Sequence, residues 1–347
     1  MSTEDELRTT IAKIIEPGKG ILAADESMPT ITKRFGALGI ESTEDSRRNY
    51  RTMLFTAAGA GESLGGVILF EETLTQCADD GTLLPELLQR LGILPGIKVD
   101  KGTTPLPNAS GDLITQGLDG LGERLKAYKA QGARFAKWRE VYGITGRNPT
   151  PLGIAANAEV LARYAAICQE QGIVPIVEPE VLLDGDHSIE RCREVSEAVL
   201  HAVFEALHRH QVRLEYMILK PSMVVPGKLQ PSRASPEVVA ATTLEVLRRT
   251  VPAAVPTINF LSGGQSPEEA TANLNAMNIL SPHAPWVLSF SYARALQEPA
   301  MRRWAGRKEN VAAAQQAFSR RLKLNSLARA GKYQADMEHQ AIAKDMK

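Results

Sequence analysis

The chain is short of cysteine and histidine and carries no net charge, and each shortage excludes something. Three cysteines, Cys77, Cys168 and Cys192, are odd in number, far apart and never form a C-x-x-C pair. That argues against a disulfide framework or a structural zinc site and fits a reducing compartment. Six histidines include no H-E-x-x-H pair, and His208 and His210, two apart on an expected helix, face different ways. None forms a convergent cluster at the strand ends apart from His187, after Asp184-Gly185-Asp186, which invites a metal reading. Lys plus Arg equal Asp plus Glu at 40 each. No global field therefore attracts nucleic acid or an anionic membrane, and any anion must be recognised locally. No apolar run reaches the length of a bilayer span. The acidic start, Met1 to Glu6, lacks the apolar core of a secretory signal. These absences point to a soluble, cytoplasmic protein.

What is present is a repeating alternation. With 44% hydrophobic residues and 347 in all, the chain can bury a large core. Eight short apolar runs read as buried strands, at 20–27, 65–71, 95–100, 134–139, 173–180, 214–220, 257–264 and 286–294. Helical segments lie between them. One begins near Ser42 or Thr43, one runs from Asn157 as cap to Gly172 as stop, and one covers roughly 188–210. Ser235-Pro236 and the capping box Ser266-Pro267-Glu268-Glu269 open two more. Strands recurring roughly every 30–45 residues predict a single (β/α)₈ TIM barrel over 1–347. Extra helices are expected at both ends, the first over about 4–16, with a loose tail from about 331.

In such a barrel the C-terminal strand ends share one mouth, where active sites are built. The pivotal end is Lys220, closing the run Leu214–Leu219. A buried ammonium is costly unless paired or partly neutral, so a lone strand-end lysine is either a structural ion pair or a nucleophile for a carbonyl. The other ends carry complementary charge: Asp25, Lys98, Lys137 with Arg139, and Glu178 with Glu180. Strand alternation points each of the last two pairs to one side. Lys137 near Lys220 is expected to repel it and favour a neutral amine. Glu178 and Asp25 suit proton transfer. Ser262-Gly263-Gly264 and Ser291 with Arg294 suit one anion, and Lys98, Arg34 and Ser27 a second.

The stretches GKGILAADES (18–27), GGVILFEETL (65–74), GIKVDKG (96–102), TQGLDGL (115–121), GARFAKWR (132–139), QGIVPIVEPE (171–180), LKPSMV (219–224), FLSGGQS (260–266) and SFSYARAL (289–296) together resemble the class I, Schiff-base fructose-1,6-bisphosphate aldolases. The resemblance covers about residues 15–330. It implies reversible cleavage of fructose 1,6-bisphosphate to dihydroxyacetone phosphate and glyceraldehyde 3-phosphate, with no metal or other cofactor. By position it implies Lys220 as the Schiff-base lysine, Glu178 as main proton carrier and Asp25 as base for the hydroxyl whose carbon leaves. Lys137 would polarise the intermediate, with Glu180 as its charge partner. Ser262, Gly263, Gly264, Ser291 and Arg294 would hold one phosphate, and Ser27, Arg34, Lys98 and Arg139 the other end of the substrate. A homotetramer is implied as well.

Two departures from the family pattern stand out. Ala293 occupies a position that is glycine in the animal enzymes, and the chain ends Met346-Lys347 where eukaryotic relatives commonly end in tyrosine. Alternatives are a metal-dependent aldolase, a barrel enzyme acting on a monophosphate or unphosphorylated sugar, and a non-catalytic sugar-phosphate-binding scaffold. A scaffold is expected to have lost Lys220, Glu178 or Asp25, and all three are present.

Overall fold

The computed structural model describes residues 2–339. Eight parallel strands close on themselves: β1 (Gly20–Ala24), β2 (Leu64–Leu69), β3 (Leu94–Lys98), β4 (Phe135–Tyr142), β5 (Val174–Val181), β6 (Ile218–Leu219), β7 (Thr257–Phe260) and β8 (Val287–Tyr292). Closure comes from β8 lying beside β1, with Ile21 opposite Ser291 and Leu22 opposite Tyr292. Closing the sheet leaves no free edge. A small antiparallel hairpin, Thr103–Pro105 with Leu113–Thr115, follows β3.

Strand alternation divides the apolar residues into two layers. Leu22, Val67, Ile97, Trp138, Val177, Leu219 and Phe290 point outwards into the main core, shared with the helices. Ile21, Ala23, Ile68, Phe135, Val174, Ile176 and Ile218 point inwards and form a second cluster with Leu7, Ile11 and Ile14 of the helix Thr3–Ile14. That helix plugs the bottom of the barrel. Its Ser2–Asp5 capping box and acidic first turn stabilise its start. Bulk is shared unevenly around the plug. A Cβ on Gly96 would come within 2.1 Å of the Phe135 ring, and one on Gly66 within 2.7 Å. One large side chain on β4 fills space that two glycines on β2 and β3 vacate.

Caps fix where the outer helices begin. Thr43, Thr150, Ser188, Ser235 and Ser266 each accept a hydrogen bond from a backbone N–H in the first turn. Two expectations are corrected here. The helix expected from Asn157 starts at Thr150, with Pro151 first, and Asn157 is an interior residue donating to the Leu113 carbonyl at 2.9 Å. A buried amide that reaches a hairpin carbonyl looks in sequence like a cap. The strand expected over 214–220 is only Ile218–Leu219, because Leu214–Tyr216 forms a 3₁₀ turn.

Within the stretch expected to be loose from about 331, two side chains are tied to the helix Val311–Arg329. Tyr333 is buried and donates to Glu338 at 3.0 Å, and Glu338 forms an ion pair with the buried Arg321 at 2.6 Å. These contacts join residues distant from the barrel strands and leave no periodic signal. The rest of the expected tail, with Met346-Lys347, lies outside the described residues.

Phe135→Ala removes the ring that the glycines accommodate. It is expected to destabilise the fold by about 3–5 kcal/mol, read as a lower midpoint in urea unfolding.

Candidate functional site

The inward alternation that builds the plug continues upwards into charge. After Ile21 and Ala23 comes Asp25; after Phe135, Lys137 and Arg139; after Val174 and Ile176, Glu178 and Glu180; after Ile218, Lys220. Above the apolar layer a cleft of about 450 Å³ opens at the C-terminal strand ends. Asp25, Ser27, Arg34, Lys98, Lys137, Arg139, Glu178, Glu180, Lys220, Ser262, Gly263, Ser291 and Arg294 all line it. Of the expected residues only Gly264 stands behind the wall, at the turn into the helix Pro267–Leu280.

At the floor the ionic groups form a connected chain. The Lys220 Nζ lies 3.2 Å from Glu178 Oε1, and Glu178 Oε2 lies 3.4 Å from Lys137 Nζ. Lys137 also contacts Asp25 at 2.7 Å and stands 3.9 Å from Asp100, which contacts Lys98 at 2.5 Å. Asp25, Lys137, Glu178 and Lys220 are all buried. The two lysines do not simply repel: Glu178 stands between them. Lys137 meets three carboxylates, Lys220 one.

Burial disfavours both charges of the Asp25–Lys137 pair, yet attraction wins on each side. Burial raises the Asp25 pKa, but the ammoniums of Lys137 and Lys220 more than reverse it, and it falls to about 2. Burial lowers that of Lys137, but Asp25, Glu178 and Asp100 drive it well above the ordinary lysine range. Lys137 is thus a fixed ammonium and Asp25 a fixed carboxylate at neutral pH.

The expected Lys137–Glu180 pair is not formed. Glu180 bonds the Arg139 Nε instead: the register sets Lys137 opposite Ile176 and Arg139 opposite Glu178, so each cation meets the carboxylate two residues further along β5, Glu178 for Lys137 and Glu180 for Arg139. At that rim Arg34 contacts Glu26 at 2.5 Å, and Ser27, N-cap of the helix Met28–Gly36, makes no side-chain cap bond. On the opposite side Gly263 and Gly264 have φ of +52° and +95°, open to glycine at little cost. The Ser291 hydroxyl is buried without a hydrogen-bond partner, and Arg294 forms no ion pair among the described residues. Each end of the cleft thus carries donors and a cation.

Asp100, Glu26 and Thr30 also line the cleft and were not singled out from sequence. Asp100 was within reach of the rule that paired Arg139 with Lys137, since it stands two residues after Lys98. Glu26 gave no such signal. Its role emerges from Gln297, which donates to it at 2.8 Å from a helix far along the chain. His187 is buried with neither ring nitrogen hydrogen-bonded, and burial lowers its pKa. Among the described residues no three His, Cys, Asp or Glu side chains converge to hold a metal, and no helix is long and apolar enough to cross a membrane.

A family model for class-I fructose-bisphosphate aldolase matches residues 6–347. The chain belongs to the class-I fructose-bisphosphate aldolase family. Among its curated relatives, the cytosolic fructose-bisphosphate aldolase 6 of Arabidopsis thaliana is 56% identical over 96% of this chain and 92% of its own. The cytoplasmic isozyme of Spinacia oleracea is 54% identical over 99% and 97%, and aldolase C of Homo sapiens 52% over 96% and 92%. The fold is shared with the aldolase of Plasmodium falciparum solved in complex with TRAP and an inhibitor, at a TM-score of 0.94, 50% identity and 96% of each chain.

One further ionisable group backs the mouth of this aldolase-family barrel. Glu140, on the outward face of β4, is fully buried and accepts from the Trp138 indole at 2.8 Å and the Thr115 N–H at 3.0 Å. Burial without a cation beside it raises its pKa to about 7, although both donors favour the carboxylate. A carboxyl whose folded pKa is raised binds protons more readily folded than unfolded. Its contribution is therefore complete below about pH 4.5 and declines as pH climbs to about 7. Urea unfolding at several pH values should show Glu140→Gln losing that decline relative to the wild type. Parallel curves would refute it.

Proposed function

We propose that this protein catalyses the reversible cleavage of fructose 1,6-bisphosphate into dihydroxyacetone phosphate and glyceraldehyde 3-phosphate through a Schiff base on Lys220. The observation that carries the reading is a buried lysine amine 3.2 Å from a buried glutamate at the floor of a cleft with anion-binding groups at both ends. The names and close identity of its relatives support the substrate class.

In this reading Glu178 accepts a proton from the Lys220 ammonium, freeing the lone pair that attacks the substrate ketone. It then protonates the carbinolamine oxygen, which leaves as water and yields the iminium. Asp25 removes the proton from the hydroxyl on the carbon that departs. The carbon–carbon bond breaks, its electrons pass to the iminium as an enamine, and the aldehyde leaves. Protonation of the enamine carbon and hydrolysis return the amine and the ketone product. Asp25 is a weak base while it holds Lys137 at 2.7 Å. A substrate oxygen inserted beside Lys137 loosens that pair and raises the basicity of Asp25 as the bond begins to break. The permanent ammonium of Lys137 stabilises negative charge on substrate oxygens without giving up its own proton.

The two ends divide the phosphates. Ser262, Gly263, Gly264, Ser291 and Arg294 hold one, supported by the unpartnered Ser291 hydroxyl and the unpaired Arg294. Ser27, Arg34, Lys98 and Arg139 hold the other, their carboxylate partners Glu26, Asp100 and Glu180 keeping them in place beforehand. A cytosolic homotetramer accords with the family, and light scattering at four chain masses would support that assembly.

Borohydride reduction in the presence of dihydroxyacetone phosphate should leave a stable adduct on Lys220, identified by peptide mass analysis and formed equally well in EDTA. Lys220→Met should lose both adduct and turnover. Glu178→Gln should lower kcat by about 10²–10⁴-fold. An adduct elsewhere, or turnover by the Lys220 variant, would overturn the reading.

A further inference from the structure

A lysine outside the strand ends, Lys228, approaches Gly264, next to the anion-binding end of the cleft though not among the residues lining it. Lys228 sits on the loop that follows Lys220, and a backbone zipper holds that loop against the one after β5. Gly227 donates to the His187 carbonyl, Lys228 to Leu183 and Leu229 to Gly185, each at 2.9 Å. The contact needs glycine at 227, where a Cβ would stand 2.4 Å from the Gly185 carbonyl oxygen. The backbone of Lys228 is therefore fixed, and its side chain has a defined direction. Measured from the point that a Cβ on Gly264 would occupy, the Lys228 Nζ is 3.2 Å away and the Arg294 Nη2 3.3 Å. Two cations from separate elements thus approach the same turn, and like charges on neighbouring groups repel one another less when an anion is shared between them.

The carboxylate that Lys228 meets is Asp184, at 3.0 Å. The Asp184 side chain is 72% exposed, so the pair is a weak surface contact that a phosphate can displace. Arg294 supplies a planar fork and Lys228 a flexible point charge, two modes of contact that complement each other on a phosphate dianion.

We propose that Lys228 is a specificity-determining residue of the Gly263–Gly264 anion site, moving from Asp184 to the phosphate ester bound there and favouring a dianion over a singly charged or neutral group. This rests on the proposed aldolase reading. It adds a contact that the strand-end pattern could not supply, because Lys228 reaches the site from a loop eight positions past the Schiff-base lysine.

The test uses the full chain, with inorganic phosphate as competitive inhibitor of fructose 1,6-bisphosphate cleavage. Lys228→Gln should raise both the phosphate inhibition constant and KM by roughly three- to tenfold, with a smaller change in kcat. The difference from wild type should shrink as salt is added. Lys228→Arg should recover most of the loss, which a general disturbance of the loop would not allow. Borohydride trapping on Lys220 in the same preparations separates the two ideas. Trapping and cleavage intact, with the inhibition constant and KM unchanged in Lys228→Gln, would remove Lys228 from the site and leave the aldolase reading standing. Failure of trapping in the wild-type protein would remove both.

Discussion

Glu178 offers one carboxylate oxygen to Lys220 and the other to Lys137, and the arrangement at the mouth depends on that bridge. Taking any of these charges out of water costs several kcal/mol, and removing one partner of such a set typically costs about 3–5 kcal/mol through the charge left behind. The cluster survives because it is balanced. Lys98, Lys137 and Lys220 face Asp25, Asp100 and Glu178. Balance does not make the two central lysines equivalent. Three carboxylates hold Lys137 as an ammonium, whereas Lys220 shares a single carboxylate.

That difference would be lost without a rigid base. The inward layer of Ile21, Phe135, Val174, Ile176 and Ile218, closed from below by the helix Thr3–Ile14, leaves the side chains above it no room to sink into the barrel. Charged groups standing on close-packed apolar neighbours keep their rotamers, and ion-pair distances near 3 Å persist without a large entropic cost at the moment of reaction. The rim is built otherwise. Ser27, Gly263, Gly264 and Lys228 sit on turns and loops, where exchange of one anion partner for another is easier. Floor and rim are therefore held differently, by packed ion pairs below and by loop-borne groups above.

Much of the site was legible because a strand places every second residue on one face. Lys137 with Arg139 and Glu178 with Glu180 follow from that rule alone, and Lys220 from its place after an apolar run. The rule says nothing about pairing across strands. Glu180 meets Arg139 rather than Lys137 because adjacent parallel strands are offset around the barrel. Glu26 is positioned by Gln297 and Arg34, and Asn157 by a hairpin carbonyl. None of these contacts has a sequence spacing that could announce it.

What the sequence determined by itself is local and periodic: eight buried strands, the helix caps at Thr43, Ser235 and Ser266, and the set of residue types delivered to one mouth. These depend on interactions within a few residues, or on a period of two, and both can be read along a line. What only the tertiary structure decided is which charge meets which. Coulombic energy falls with distance in space and takes no account of distance along the chain. The fixed ammonium of Lys137, the low pKa of Asp25, the raised one of Glu140 and the approach of Lys228 and Arg294 to Gly264 thus exist only once the barrel has closed.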